Sequence, residues 1–218
     1  MAALLGALCL TGCGGNDKTA DADKNVSSAA VSSPAADEGT TVEPEQTDDT
    51  DLLSGKHHVK IKVKDYGTIS VELDADVAPI TVTNFVDLAK DGFYDGLTFH
   101  RIISGFMIQG GDPLGNGTGG SEKTIKGEFA ENGVENSISH VRGTISMARS
   151  QDYDSASSQF FIMHKDNPGL DGQYAAFGTV TKGMEVVDKI CEDTQVEDEN
   201  GTVAAENQPV IKSIKVID

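Results

Sequence analysis

From residue 57 onward, apolar and polar side chains alternate with a period of two. In HVKIKVKD, Val59, Ile61 and Val63 are separated by Lys60, Lys62 and Lys64; after an Asp-Tyr-Gly turn, GTISVELD repeats the pattern with Ile69, Val71 and Leu73. Alternation of this kind puts one face in a core and the other in water, so the two runs predict a hairpin. The period then lengthens. In PITVTNFVDLAKDG, residues 79 to 92, Val82, Phe85, Val86 and Leu88 recur at helical spacing between an opening Pro79 and a closing Gly92, which predicts a helix. A second helix is expected over MEVVDKICED, residues 184 to 193. The runs FHRIISGFMIQ, GTISMARS, SSQFFIMH, YAAFGTVT and PVIKSIKVID are short, rich in β-formers and separated by Gly, Asn or Asp. Many short antiparallel strands with two helices predict a mainly β fold, a closed β-barrel with helical caps.

Composition adds a different kind of segment at the amino-terminal end. The 218 residues are 38% hydrophobic, enough for one packed domain and an accessory stretch. The net charge is −18; residues 14 to 55 hold ten acids against two lysines, a balance of −8, which leaves 25 acids against 15 bases, or −10, for residues 56 to 218. No basic patch with interleaved aromatics is present, which excludes nucleic acid as a partner. Residues 14 to 55 are rich in Ala, Ser, Thr, Asp, Glu and Pro and poor in large apolar groups. They are expected to form a disordered acidic tether, which as a flexible coil would span on the order of 35 Å.

The first thirteen residues, MAALLGALCLTGC, are uncharged and mostly apolar. This run is too short to cross a bilayer and suits the apolar part of an export signal. Its closing LTGC resembles the lipobox of bacterial lipoproteins, which implies cleavage before Cys13 and a lipid anchor on that cysteine in the bacterial cell envelope. Met1 to Leu8 carries no Lys or Arg of the kind that opens a signal peptide, so a different natural start is expected. With Cys9 removed and Cys13 lipidated, Cys191 is left without a disulfide partner and is expected to be a small core residue.

Several motifs invite chemistry and fail their context. GNGTGG, residues 115 to 120, matches G-x-G-x-x-G, but no strand leads directly into it and no amphipathic helix follows, so it is a glycine-rich loop with no dinucleotide. The histidines at 57, 58, 100, 140 and 164 show no metal-ligand spacing, and neither a metal nor an organic cofactor is expected. A serine hydrolase lacks its G-x-S-x-G elbow and a distinctive acid partner. His100 is expected to be structural, buried and hydrogen-bonded.

FHRIISGFMIQGGDP, residues 99 to 113, sets Arg101 inside an apolar run. A guanidinium keeps its charge, so it needs acceptors or a ligand there. With unbroken alternation Arg101, Met107 and Gln109 share one face, and Phe106 joins them if Ser104 and Gly105 form a bulge. Such a face can hold an apolar ring and hydrogen-bond an amide, but it has neither base nor nucleophile. Rotation about an Xaa-Pro bond needs no more. Its barrier of about 18–20 kcal/mol is lost amide resonance, and a donor aimed at the pyramidalising proline nitrogen favours the twisted state.

YDGLTFHRIISGFMIQGGD, followed in order by GNGTGG, GTISMA, SSQFFI and LDGQYAAFG, closely resembles the cyclophilin-type peptidyl-prolyl cis-trans isomerases. The likeness spans residues 57 to 218, and FHR-x-I-x-x-FM-x-QGGD is highly specific. It implies an eight-stranded antiparallel barrel capped by two helices, acting as a monomer without a cofactor on proline-containing, unfolded or flexible polypeptides. Arg101 matches the family's catalytic arginine, and Phe106, Met107 and Gln109 match pocket residues. Ala148 matches a substrate-lining alanine; Arg149 replaces an asparagine whose contribution is largely backbone. Gln159 and Phe161 match positions flanking and flooring the proline pocket, Leu170 an apolar wall, and Tyr174 closes one side.

Two positions depart from cyclosporin-sensitive members: Gly169 stands where they carry Trp, and Tyr174 where they carry His. Loss of the indole implies weakened cyclosporin binding with isomerase activity kept. Two functions are compatible with these residues: an exported, membrane-anchored isomerase that assists protein folding, or a proline-segment binding module or chaperone with incidental catalysis.

Overall fold

The computed structural model describes residues 52–218; the apolar start, Cys13 and the acidic segment up to residue 51 lie outside the described residues. The end of that segment belongs to the domain. Leu53 packs against the core and its N–H donates to Thr83 Oγ1 at 2.9 Å.

Strands β1 (Lys56–Val63) and β2 (Gly67–Asp74) form the expected hairpin, in unbroken register from Lys56↔Asp74 to Val63↔Gly67. All six of the alternating apolar residues are buried. Helix α1 (Pro79–Lys90) starts at the proline and buries Val82, Phe85, Val86 and Ala89. Ala78 gives it no side-chain cap. Instead the buried Glu128 carboxylate accepts the Ile80 and Thr81 N–H groups at 3.0 and 2.8 Å, satisfying donors that the first turn leaves open. Helix α2 (Met184–Asp193) has the expected limits and buries Val186, Val187, Ile190 and Cys191. Burial pushes the Cys191 thiol up to about 12, consistent with an inert core residue.

The stretch that carries Arg101 is two strands. β3 (Thr98–Ile103) and β4 (Met107–Asp112) form a tight hairpin, closed by the Phe106 N–H donating to the Ile103 carbonyl at 2.9 Å. Gly105 takes a positive φ of 81° in the turn, a conformation glycine adopts without steric cost. β5 (Thr144–Met147), β6 (Phe160–Met163), β7 (Ala176–Lys182) and β8 (Ile211–Val216) complete one antiparallel sheet in the order β3-β4-β6-β5-β7-β2-β1-β8.

This sheet is a curled half-barrel, which corrects the expected closed barrel. Its end strands, β3 and β8, meet at a single bridge beside Pro209, Thr98↔Val210. Proline has no N–H with which to extend a ladder. Farther along, the outer edge of β3 is taken by residues 201–203: Ile102 N–H donates to the Gly201 carbonyl at 2.8 Å and Val203 N–H to the His100 carbonyl at 3.1 Å. The connection from α2 to β8 thus covers the edge that closure would have used.

The concave side holds the main core, where Phe85, Tyr94, Phe99, Phe160 and Phe177 pack with ring centroids 5.1 to 6.1 Å apart. In β4 and β6 the residues between core positions are Met107, Phe161 and Met163. They form a second apolar cluster, against which Phe106, Ala148, Leu170 and Tyr174 pack. Strand pleat therefore builds one core and one site from a single pair of strands.

Candidate active site

Arg101 and Gln109 are register partners in the β3–β4 hairpin. Arg101 Nη1 donates to Gln109 Oε1 at 3.1 Å and Nε to the Asn200 carbonyl at 2.8 Å. Gln109 Nε2 donates to Gln159 Oε1 at 2.9 Å, and Gln159 Nε2 to the Gly119 and Gly117 carbonyls at 2.7 and 3.2 Å. A guanidinium only donates, so it fixes which end of each amide faces it, and the chain of bonds holds the whole row in one orientation. Among the described residues no carboxylate pairs with Arg101. Its remaining N–H groups border a cleft of about 410 Å³.

Nine of the residues singled out from sequence line that cleft: Arg101, Phe106, Met107, Gln109, Ala148, Arg149, Phe161, Leu170 and Tyr174. Gln159 lines a neighbouring cleft of about 320 Å³ and reaches the first through Gln109. Phe161 and Tyr174 meet edge to face, 5.8 Å between centroids. The Ala148 N–H is given to the Gln159 carbonyl at 2.9 Å, so a ligand would meet its carbonyl.

Behind the floor, His140 stacks on Phe161 at 6.0 Å and 19°. Its Nδ1 contacts Asp171 Oδ1 at 2.8 Å and its Nε2 contacts Ser146 Oγ at 3.0 Å. Burial holds the His140 pKa below its ordinary value, outweighing the pull of Asp171. Asp171 is also partly desolvated, but bonds from Ser139 Oγ, the His140 N–H and the His140 ring hold its pKa down. The result is a neutral imidazole donating to a carboxylate. Serine, histidine and aspartate are thus in triad order, but Ser146 is fully buried, and a nucleophile must reach its substrate. The array braces Phe161, with the Tyr174 ring edge-on to His140 at 6.5 Å, and offers no accessible nucleophile.

Three readings change. Arg149 contributes its side chain: the guanidinium carbon lies 5.1 Å from the Phe129 ring centre and 4.9 Å from those of Tyr153 and Tyr174, and Nε and Nη2 donate to the Gln173 carbonyl at 3.0 and 2.9 Å. It braces Tyr174 from behind. His100 is buried as expected, but among the described residues neither ring nitrogen has a hydrogen-bond partner. Burial lowers its pKa, with Asp112 opposing. The hairpin also removes the need for a bulge to bring Phe106 beside Arg101.

Sequence reasoning missed the far wall, where Gly115, Asn116, Gly117 and Thr202 line the cleft. The glycine-rich loop wraps the Asp112 carboxylate, which accepts from Leu114, Asn116 and Gly117 N–H at 2.8, 3.1 and 2.6 Å. Those amides cannot also cradle a pyrophosphate. A Cβ at Gly119 would lie 2.1 Å from Asp112 Oδ1, so this wrapping requires glycine. Thr202 arrives on the edge-covering loop, whose exposed polar residues give no pattern to read. Among the described residues no His, Cys, Asp or Glu cluster could hold a metal.

The profile of cyclophilin type peptidyl-prolyl cis-trans isomerase/CLD matches residues 58–216. Peptidyl-prolyl cis-trans isomerase A of Dickeya dadantii is 47% identical over 160 residues, 69% of this chain and 80% of that protein. Peptidyl-prolyl cis-trans isomerase B of Bacillus subtilis is 49% identical over 123 residues, 56% of this chain and 82% of that protein. A crystal structure of a Cryptosporidium parvum cyclophilin type peptidyl-prolyl cis-trans isomerase, in the presence of the dipeptide Ala-Pro, aligns with a TM-score of 0.65 at 31% identity, covering 74% of this chain and 99% of that one.

Proposed function

This chain belongs to the cyclophilin-type peptidyl-prolyl cis-trans isomerases, and from that premise we propose how its cleft turns Xaa-Pro bonds and where it does so. It is a peptidyl-prolyl isomerase. The observation that carries the residue assignments is the Arg101–Gln109 pair set over Met107 and Phe161; among the described residues the one imidazole that lines the cleft, His100, has both ring nitrogens buried. Its substrates are proline-containing, flexible polypeptide segments, as the Ala-Pro dipeptide used with the Cryptosporidium relative suggests.

Phe106, Met107, Phe161 and Leu170 hold the proline ring, with Tyr174 closing one side. Gln109 and the Ala148 carbonyl fix the residue before it. As the bond twists, the proline nitrogen pyramidalises and gains a lone pair, to which Arg101 donates. A roughly 10⁵-fold acceleration takes about 7 kcal/mol off the barrier. One charge-assisted hydrogen bond supplies about 1.5–3 kcal/mol, so the apolar clamp must also hold the twisted form better than either planar one.

The LTGC sequence supports an address as well. Cys13 carries a lipid, and residues 14 to 51 tether the domain to a bacterial envelope membrane, where it assists the folding of exported proteins as a monomer. Cell fractionation with Cys13→Ser tests the address: the substitution should release the protein from the membrane. Exchange NMR on an Xaa-Pro peptide, with the full chain and Arg101→Ala, tests the mechanism. Acceleration lost in a folded variant assigns the role to Arg101; acceleration retained would remove it, and none with wild type would leave a proline-segment binding module.

A further inference from the structure

Phe106 is the last residue of the three-residue turn between β3 and β4, and that turn is tied to the chain just after β6. The His164 N–H donates to the Phe106 carbonyl at 2.8 Å, continuing the β4–β6 ladder by one step. A second tie is made by the same residue's side chain: the Gly105 N–H donates to His164 Nδ1 at 2.8 Å. The other ring nitrogen, Nε2, lies 3.1 Å from Asp188 Oδ1 on α2. Arg142 completes the cluster, with Nη2 donating to Asp188 and Nη1 to the His164 carbonyl, both at 2.8 Å.

These two contacts fix the tautomer. A carboxylate accepts only, so Nε2 carries the proton, and Nδ1 is left with the lone pair that Gly105 needs. A proton added to Nδ1 would set two donors against each other at 2.8 Å. The Asp188 contact would strengthen while the Gly105 contact was lost. The charged and titratable groups around the imidazole are Asp188 on α2, Arg142 before β5, and its chain neighbours Lys165 and Asp166, the last of which accepts the Arg142 N–H at 2.7 Å. No titratable side chain comes from the turn itself, which is Ser104, Gly105 and Phe106.

We propose that His164 is a positioning residue for the isomerase reaction: its neutral imidazole holds the Phe106 turn against the cleft, and its protonation loosens that turn. The proposal rests on the isomerase reading above. It couples α2, through Asp188, to a wall of the proline pocket.

The test uses the full chain, labelled with ¹⁵N, and the variants His164→Ala and His164→Asn. Asparagine keeps an acceptor oxygen close to where Nδ1 stood and does not titrate. At pH 8, His164→Ala should lower kcat/KM about five- to tenfold, the loss of one hydrogen bond expressed as a rate, and His164→Asn should recover most of it. Wild-type kcat/KM should fall on acidification, because a proton on Nδ1 removes the acceptor for the Gly105 N–H, and the Gly105 amide signal should shift in step with it. His164→Asn should flatten that part of the profile. Wild-type kcat/KM in His164→Ala, or an unchanged pH profile in His164→Asn, would overturn the proposal. Should the alanine variant not fold, the asparagine profile and the Gly105 titration still decide it. Wild type without catalysis would overturn the isomerase reading instead, and a Gly105 signal flat in pH would then overturn the tie by itself.

Discussion

Arg101 on β3 and Gln109 on β4 face each other across the hairpin, Nη1 donating to Oε1 at 3.1 Å, while Nε holds the Asn200 carbonyl at 2.8 Å. Two bonds in different directions use the planar fork of a guanidinium. Lysine, a single point charge on a flexible stem, cannot make both and still present a directed donor to the cleft. Arg101→Lys should therefore lower kcat/KM about a hundredfold although the charge is kept, the scale on which misplacement by about 1 Å acts. The melting temperature should move little, because Arg101 pairs with no carboxylate among the described residues. Peptide exchange NMR beside a thermal melt checks this; near wild-type turnover in the lysine variant would mean that charge alone suffices.

Arg149 packs against Phe129, Tyr153 and Tyr174 at 4.9 to 5.1 Å from each ring centre. Cation–π contacts contribute about 0.5 to 2 kcal/mol depending on solvation. Arg149→Leu should free Tyr174 and raise KM about tenfold on that scale, with kcat changed less, because Arg101 and Gln109 are untouched. Steady-state kinetics over a range of peptide concentration separate the two constants. A fall in kcat at constant KM would instead put Arg149 in the reaction itself.

How much of this was legible depended on whether the determinant is local. The β1–β2 hairpin and α1 could be read because Val59, Ile61 and Val63, or Val82, Phe85 and Val86, carry their period within a few residues. The hairpin inside FHRIISGFMIQ was hidden because its break is two residues, Ser104 and Gly105, between apolar runs. Barrel closure could not be read at all: alternation reports which face a residue takes, whereas closure depends on what covers the β3 edge, a loop about a hundred residues away in the chain. Nine of the residues that line the cleft were legible through a specific family motif. The clamp on Arg149 was not, since its rings come from positions 129, 153 and 174.

His100 and His140 are both buried, and burial lowers both pKa values. Above about pH 6.5, the ordinary imidazole value, neither the folded nor the unfolded chain protonates them. Below it the unfolded chain takes up protons first, so stability falls with pH from there down to the folded-state values. His100 also buries two nitrogens without partners among the described residues, a cost that an apolar side chain avoids. His100→Leu should thus be neutral or stabilising at pH 8, and its advantage over wild type should grow at pH 5.5. Thermal melts at the two values test the sign; an advantage that shrank on acidification would contradict the account.

Cyclosporin should bind this chain weakly, and the cause should lie at residue 169. Gly169 is in the exposed turn Pro168–Leu170, next to the leucine that walls the proline pocket. Its φ is outside the left-handed region, and the nearest atom to an added Cβ is the tip of the Asn167 side chain, at 3.1 Å. A larger residue therefore needs only that tip to yield. An indole there would add a large apolar contact and one N–H donor at the mouth of the cleft. Gly169→Trp should tighten cyclosporin at least about tenfold, a gain of the size such a contact brings, while peptide isomerisation stays close to wild type because no group facing the twisting bond changes. The chain contains no tryptophan, so the introduced indole reports binding directly by its fluorescence, and calorimetry gives the wild-type value for comparison. Equal affinities for the two proteins would mean that the missing indole does not limit the drug, and Tyr174, at the other departure from sensitive relatives, would be the residue to exchange for histidine.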